Sequence, residues 1–155
     1  VLAAHMARAN PHWRMFETGG DALVIFQGPH AYVSPSWYEE RLSVPTWDYL
    51  AVHARGPVKV LEAADALHHV AELTSAHDPA EFERMRTLPH EWLETLVRGI
   101  VAFEVRVTSI EGRFKLSQNR TLAEQANVAR ELASQPEPAR AVGALIAANL
   151  AHAGG

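Results

Sequence analysis

Apolar and polar positions along this chain fall into two regimes, one with the period of a strand and one with the period of a helix. "ALVIFQG" (22–28) is a short continuous apolar run, the pattern of a strand covered on both faces. Gly28-Pro29 predicts a turn, after which "HAYV" resumes an extended path as far as Pro35. Val44 and Pro45 open a second extended stretch that "WDYLAVHARG" continues. Arg55-Gly56-Pro57 then reads as a hairpin connection into "VKVLE". Alternation is clearest in "IVAFEVRVTSI" (100–110). Val101, Phe103, Val105 and Val107 point one way, and Glu104, Arg106 and Thr108 the other. Glu111-Gly112-Arg113 predicts a turn into "FKLSQ".

The helical period takes over between these strands and after them. From Ala64 to Ser75, residues Leu67, Val70, Ala71 and Leu73 gather on one side. Asp78-Pro79 predicts a helix start, the carboxylate capping and the proline occupying the first turn. Pro89 to Arg98 continues as helix until Gly99. Thr121 with Glu124 three residues on is a capping box for a helix that buries Leu122, Ala126, Ala129 and Leu132. A final alanine-rich helix follows Pro136 and Pro138. At the other end, "VLAAHMARA" suits a strand or a short helix equally. Asn10-Pro11 breaks it, residues 12–18 predict a short helix, and Gly19-Gly20-Asp21 a turn. Hairpins outnumber regular crossovers. The expected fold is therefore mainly β with α (α+β), an antiparallel barrel decorated by helices. One domain is expected over 1–155, with C-terminal helices at about 121–152. The chain starts without methionine and as if inside an element, so an upstream segment is expected to precede it.

Composition narrows the chemistry. With 155 residues and 48% hydrophobic content, a sizeable core is available. Cysteine is absent, which excludes thiolate catalysis, cysteine-ligated metals and disulfides in this stretch and is compatible with a reducing cytoplasm. Fourteen basic against eighteen acidic residues give a net charge of −4 with no basic cluster, a poor basis for direct DNA contact. No apolar run predicts a membrane span, and no Gly-rich phosphate loop is present.

Three segments carry more polar chemistry than turns or cores require: "HMARANPHW" (5–13), "GPHAYVSPSWY" with "VPTWDY" (28–38, 44–49), and "KLSQNR" (115–120). Arg8, Asn10, Lys115, Ser117, Gln118, Asn119 and Arg120 are the donors that a phosphate wants. Trp37, Trp47, Tyr32, Tyr38 and Tyr49 offer planar surface for a ring, although tryptophans in small domains are as often core anchors. His30 and His5 fit ordinary turn or strand positions better than acid–base roles. His68, His69 and Glu72 have helical spacings that could grip a metal, but adjacent histidines point to different faces.

Taken together, "HMARANPHW", "LVIFQGPHAYVSPSWY", "VPTWDYLAVHARG" and "FEVRVTSIEGRFKLSQNR" resemble the FMN-binding negative transcriptional regulator family of PaiB type, in order from about residue 2 to residue 132. The resemblance implies a split β-barrel related to pyridoxamine-phosphate oxidases and flavin reductases, with FMN bound at a homodimer interface. It implies a cofactor site drawn from Arg8, Asn10, Trp37, Trp47, Lys115, Ser117, Gln118 and Asn119, with no catalytic or metal residue assigned. Two positions depart from the family's pattern: Asp48 stands where asparagine is usual, and Ala4 where glycine is usual. An added negative charge at 48 is expected to weaken binding of an anionic cofactor. The expected function is a cytoplasmic, homodimeric FMN-binding regulator. A flavin-dependent oxidoreductase acting on a small acceptor, or a ligand-free dimeric interaction module, are the alternatives.

Overall fold

The structure is a computed structural model that describes residues 1–40 and 42–153. Strands are β1 (Leu2–Ala7), β2 (Asp21–Val33), β3 (Thr46–Val60), β4 (Ile100–Val105) and β5 (Ser109–Lys115). Helices are α1 (Arg14–Glu17), α2 (Ala63–His77), α3 (Pro79–Met85), α4 (His90–Val97), α5 (Leu122–Ala133) and α6 (Ala139–Ala153), with 3-10 turns at Pro11–Trp13 and Pro35–Trp37. The strand order is β1-β4-β3-β2, with β5 also pairing β3. The β1–β4 and β3–β4 ladders are antiparallel. This is the expected antiparallel α+β architecture, with an open rather than closed sheet: β1 and β2 are the two ends of the path. No helix among the described residues is long and apolar enough to cross a membrane.

The chain divides into two compact units, residues 1–24 with 54–110 and residues 25–53 with 111–155. In the first, "VLAAHMARA" resolves as a strand. Its six residues are too few to hold a helix in water, while the free edge of β4 supplies a full ladder from Leu2↔Val105 to Ala7↔Ile100. The unit's small core is Ala66, Val97 and Ala102, with Leu61, Leu67 and Ile100 packed against it. Asp78 caps α3 as its sequence predicts, its carboxylate accepting from Glu81 N at 3.0 Å.

The second unit is built on α5 and α6 packed against parts of β2 and the 115–117 turn. Ala31, Val33, Tyr38, Leu116, Val128, Ala129, Leu132, Val142 and Ile146 form its core. The Thr121/Glu124 capping box is present, and the two C-terminal helices lie where the sequence puts them. But α5 buries Glu124, Val128, Ala129 and Leu132, while Leu122 and Ala126, expected on its buried side, are exposed.

Four local expectations are corrected. Gly28-Pro29 does not turn the chain, and β2 runs straight through it. The "ALVIFQG" strand is not covered on both faces: Leu23, Ile25 and Phe26 are 40%, 56% and 50% exposed. β2 ends the strand path, so its periodicity reports an apolar surface rather than a filled interior. On α2, the buried pair is Ala66 and His69, while Leu73 is exposed. His69 Nε2 instead meets His5 Nδ1 on β1 at 3.2 Å.

The fourth correction concerns Arg55-Gly56-Pro57 and Glu111-Gly112-Arg113, neither of which is a turn. β3 is unbroken through Gly56, and Gly112 lies inside β5. The long alternating segment instead steps irregularly at residues 106–108, held to β3 by Arg106 N to Pro57 O (3.0 Å) and Thr108 N to Arg55 O (2.8 Å). A Cβ on Gly56 would lie 2.0 Å from Arg106 O. The glycine is there for close backbone approach, not for a hairpin.

Gly56→Ala is therefore expected to destabilise the protein by roughly 3 kcal/mol or more, as forced overpacking against backbone does, measured by urea unfolding. A second expectation follows from His69. Burial first, and the neighbouring His5 second, push its pKa below the ordinary histidine value, against weaker opposition from Glu72 and Glu104. Protonation thus favours the unfolded chain. The contribution is intact above about pH 6.5 and is lost as pH falls below that value. His69→Gln should flatten this part of the pH–stability curve.

Candidate functional site

Of the eight residues expected to hold a cofactor, six lie in the second unit and two in the first. The six centre on the start of β3 and the turn that follows β5. Asp48 on β3 is fully buried. Its Oδ2 accepts from Ser117 Oγ at 2.6 Å, and its Oδ1 has no hydrogen-bond partner, the Lys115 Nζ standing 3.7 Å away. Ser117 has a φ of 58°. A non-glycine residue keeps that left-handed conformation only where its surroundings insist on it, at a cost of order 1 kcal/mol. The bond to Asp48 and the Arg120 N to Ser117 O bond (2.9 Å) both engage this residue.

Lys115 is a third exposed, and its ammonium donates to Thr46 Oγ1 and to Trp47 O, the latter at 2.5 Å. Gln118 is folded onto its own backbone: Oε1 accepts from Leu116 N at 2.7 Å and Nε2 donates to Phe114 O at 2.5 Å. Asn119 is exposed. Arg120 lies 3.8 Å over the Tyr38 ring and donates to Ser43 Oγ (3.3 Å) and Glu40 Oε2 (3.4 Å).

The two tryptophans separate. Trp37 is part-buried against the unit's core, the anchor role. Trp47 is 52% exposed and Tyr32 49%. Trp47 meets His30 at 5.5 Å and Tyr32 at 6.2 Å between ring centroids. Strand alternation puts these rings on the side of β2 and β3 opposite Ala31, Val33 and Asp48, which are buried. The result is an open aromatic face.

In the first unit, Arg8 Nε donates to Arg98 O (2.8 Å) and Nη2 to Ile100 O (2.9 Å), and its guanidinium lies 5.7 Å from the Trp13 ring. Asn10 caps the 3-10 turn, Oδ1 accepting from His12 N at 3.0 Å. Both are exposed. The histidine–glutamate spacing on α2 yields only an exposed His68–Glu72 pair at 3.3 Å. No group of three or more metal-ligand side chains converges among the described residues.

Sequence reasoning missed the second task of Glu124. Besides closing the capping box, its carboxylate accepts from the backbone N–H of Glu39 (3.2 Å) and Glu40 (3.3 Å), so α5 holds the segment that follows Trp37 and Tyr38. The capping signal was local and visible; partners 84 and 85 residues away leave none. Burial pushes the Glu124 pKa up, but the backbone N–H groups of Glu40, Thr121 and Glu39 and the Arg120 charge outweigh it and hold the carboxyl below the ordinary glutamate value.

The family model described as "Putative FMN-binding domain" matches residues 1–109. The chain is 41% identical over 144 residues to "Protease synthase and sporulation protein PAI 2" of Bacillus subtilis (strain 168), covering 88% of this chain and 67% of that protein. It is 28% identical over 152 residues to an uncharacterised protein of Emericella nidulans, covering 76% of this chain and 60% of that one. A crystal structure from Bacteroides thetaiotaomicron VPI-5482, described as a "putative 5-nitroimidazole antibiotic resistance protein", aligns with a TM-score of 0.48 and 15% identity, over 71% of this chain and 58% of that one. The chain belongs to the PaiB-type family of FMN-binding proteins. It spans about two thirds of the length of the Bacillus relative.

FMN is the family's cofactor, and the residues of the second unit fit it in one half better than in the other. A planar ring system suits the exposed Trp47, Tyr32 and His30 face. The phosphate half is less well served. The cation of the turn, Lys115, already faces a buried carboxylate, and the Ser117 and Gln118 side chains are bonded within the protein.

Glu124→Gln is expected to speed hydrogen exchange at the Glu39 and Glu40 amides. In the wild type, protection of these amides is complete above the ordinary glutamate pKa and is lost as pH falls through the lower value of the folded state. Thr121→Ala should cost about 1 kcal/mol, a fall of about 3 °C in Tm.

Proposed function

We propose that this chain is the flavin-holding part of a cytoplasmic homodimer that acts as a PaiB-type regulator, with the flavin ring on the aromatic face of β2 and β3. The observation that carries this reading is the exposed Trp47–Tyr32–His30 group, with Phe26 and Ile25 also open on β2. Aromatic surface of this size is costly to leave wet, and a planar cofactor or a second copy of the chain would cover it. Asn119, exposed in the turn after β5, is the group nearest in kind to a polar tail, and Gln118 beside it would have to give up its bonds to Leu116 and Phe114 to join it. Arg8 and Asn10 remain candidates in the first unit, where their present bonds are to backbone.

The regulatory part of the proposal leans on the name of the Bacillus relative, a protease synthase and sporulation protein. With a net charge of −4, the effect on transcription would pass through a partner rather than through direct operator binding.

Freshly purified protein should be yellow, elute at twice the 17.1 kDa of the chain, and release a flavin on heating. Trp47→Ala should weaken flavin binding by roughly three- to tenfold, the worth of one aromatic contact. A colourless monomer that takes up no added flavin would remove the proposal.

A further inference from the structure

Resting on the flavin reading above, the structure points to a feature that reading does not contain. We propose that Asp48 makes this site recognise the ring and hydroxylated chain of a flavin while gaining little from the terminal phosphate. A flavin with an uncharged tail, riboflavin, then binds nearly as tightly as FMN.

A phosphate dianion gains affinity from donors that are both charged and free. In the 115–119 turn the charged donor is Lys115, and its ammonium is turned inward onto Thr46 Oγ1 and Trp47 O, with Asp48 Oδ1 at 3.7 Å. Lysine and aspartate together carry no net charge. The bonds to Thr46 and Trp47 hold the inward pose, and the charge of Asp48 adds to it, because that carboxylate is fully buried and its Oδ1 has no hydrogen bond among the described residues. A buried carboxylate that lost its cation would stand uncompensated, which is the expensive way to break such a pair. Turning Lys115 outward to a phosphate incurs that cost.

The neighbouring donors are committed as well. The Ser117 hydroxyl is given to Asp48 Oδ2 at 2.6 Å, and the Gln118 amide is bonded at both ends to Leu116 and Phe114. Only Asn119 presents an uncommitted polar side chain, and an amide meets a ribityl hydroxyl as readily as a phosphate oxygen. None of these bonds uses the Trp47, Tyr32 or His30 ring, which strand alternation puts on the side opposite Asp48; Trp47 enters them through its carbonyl oxygen alone.

The test is equilibrium titration of the full chain with FMN and with riboflavin, read by quenching of flavin fluorescence. Affinities within about tenfold of each other, a difference below ~1.4 kcal/mol, support the proposal. An Asp48→Asn variant removes the buried charge, so that Lys115 can turn outward from Thr46 and Trp47 without leaving a carboxylate uncompensated. It should tighten FMN by about tenfold and leave riboflavin unchanged within about threefold. A wild-type preference for FMN beyond about tenfold overturns the proposal and leaves the flavin reading standing. So does an Asp48→Asn variant that shifts both ligands alike. Binding of neither flavin overturns both. If the variant does not fold, the wild-type ratio decides alone.

Discussion

A carboxylate without access to water has to be answered by its surroundings, and Asp48, fully buried, makes that demand. The Ser117 hydroxyl answers it at 2.6 Å, and Lys115 answers its charge at 3.7 Å. Those two replies tie the start of β3 to the end of β5 and the turn after it, the Ser117 bond spanning 69 residues of sequence. Ser117 sits in a left-handed conformation beside that bond, and the lysine is turned inward, bonded to Thr46 and Trp47 as well. The shape and the charge of the turn follow from one buried oxygen pair.

A second set of bonds completes the surroundings. Arg120 stacks on Tyr38, and Glu124 takes the backbone N–H groups of Glu39 and Glu40, so α5 fixes the stretch after Trp37 from below. That leaves Trp37 as an anchor in the core and Trp47 as open surface. The division explains why "GPHAYVSPSWY" is so rich in rings and hydroxyls. Its odd positions Ala31 and Val33 fill a core, its even positions His30 and Tyr32 stay outside, and Ser34 and Pro35 set the 3-10 turn that delivers Trp37 inward.

Much of this was legible in the sequence. The two C-terminal helices, the capping box at Thr121, the Asp78 cap and the antiparallel α+β class follow from local patterns with short-range causes. The readings that failed turn on long-range partners. Gly28-Pro29, Gly56-Pro57 and Gly112 look like turns in sequence but lie inside strands, because at Gly56 the glycine answers a neighbouring backbone rather than its own dihedrals. The apolar run of β2 was correctly a strand and wrongly an interior, since periodicity reports which residues dislike water and not what covers them. Among the site residues, sequence located Lys115, Ser117 and Asp48 but could not show that they satisfy one another. Arg8 and Asn10 bind backbone in their own unit, where a pattern of donors alone cannot say so.

The account stands on the pairing of Asp48 with Lys115, and a double-mutant cycle measures it without any ligand. Unfolding free energies of the wild type, Asp48→Asn, Lys115→Met and the double variant should yield a coupling of at least about 1 kcal/mol, with Lys115→Met alone the most damaging of the three. Additive effects, with no coupling between the two positions, would contradict it.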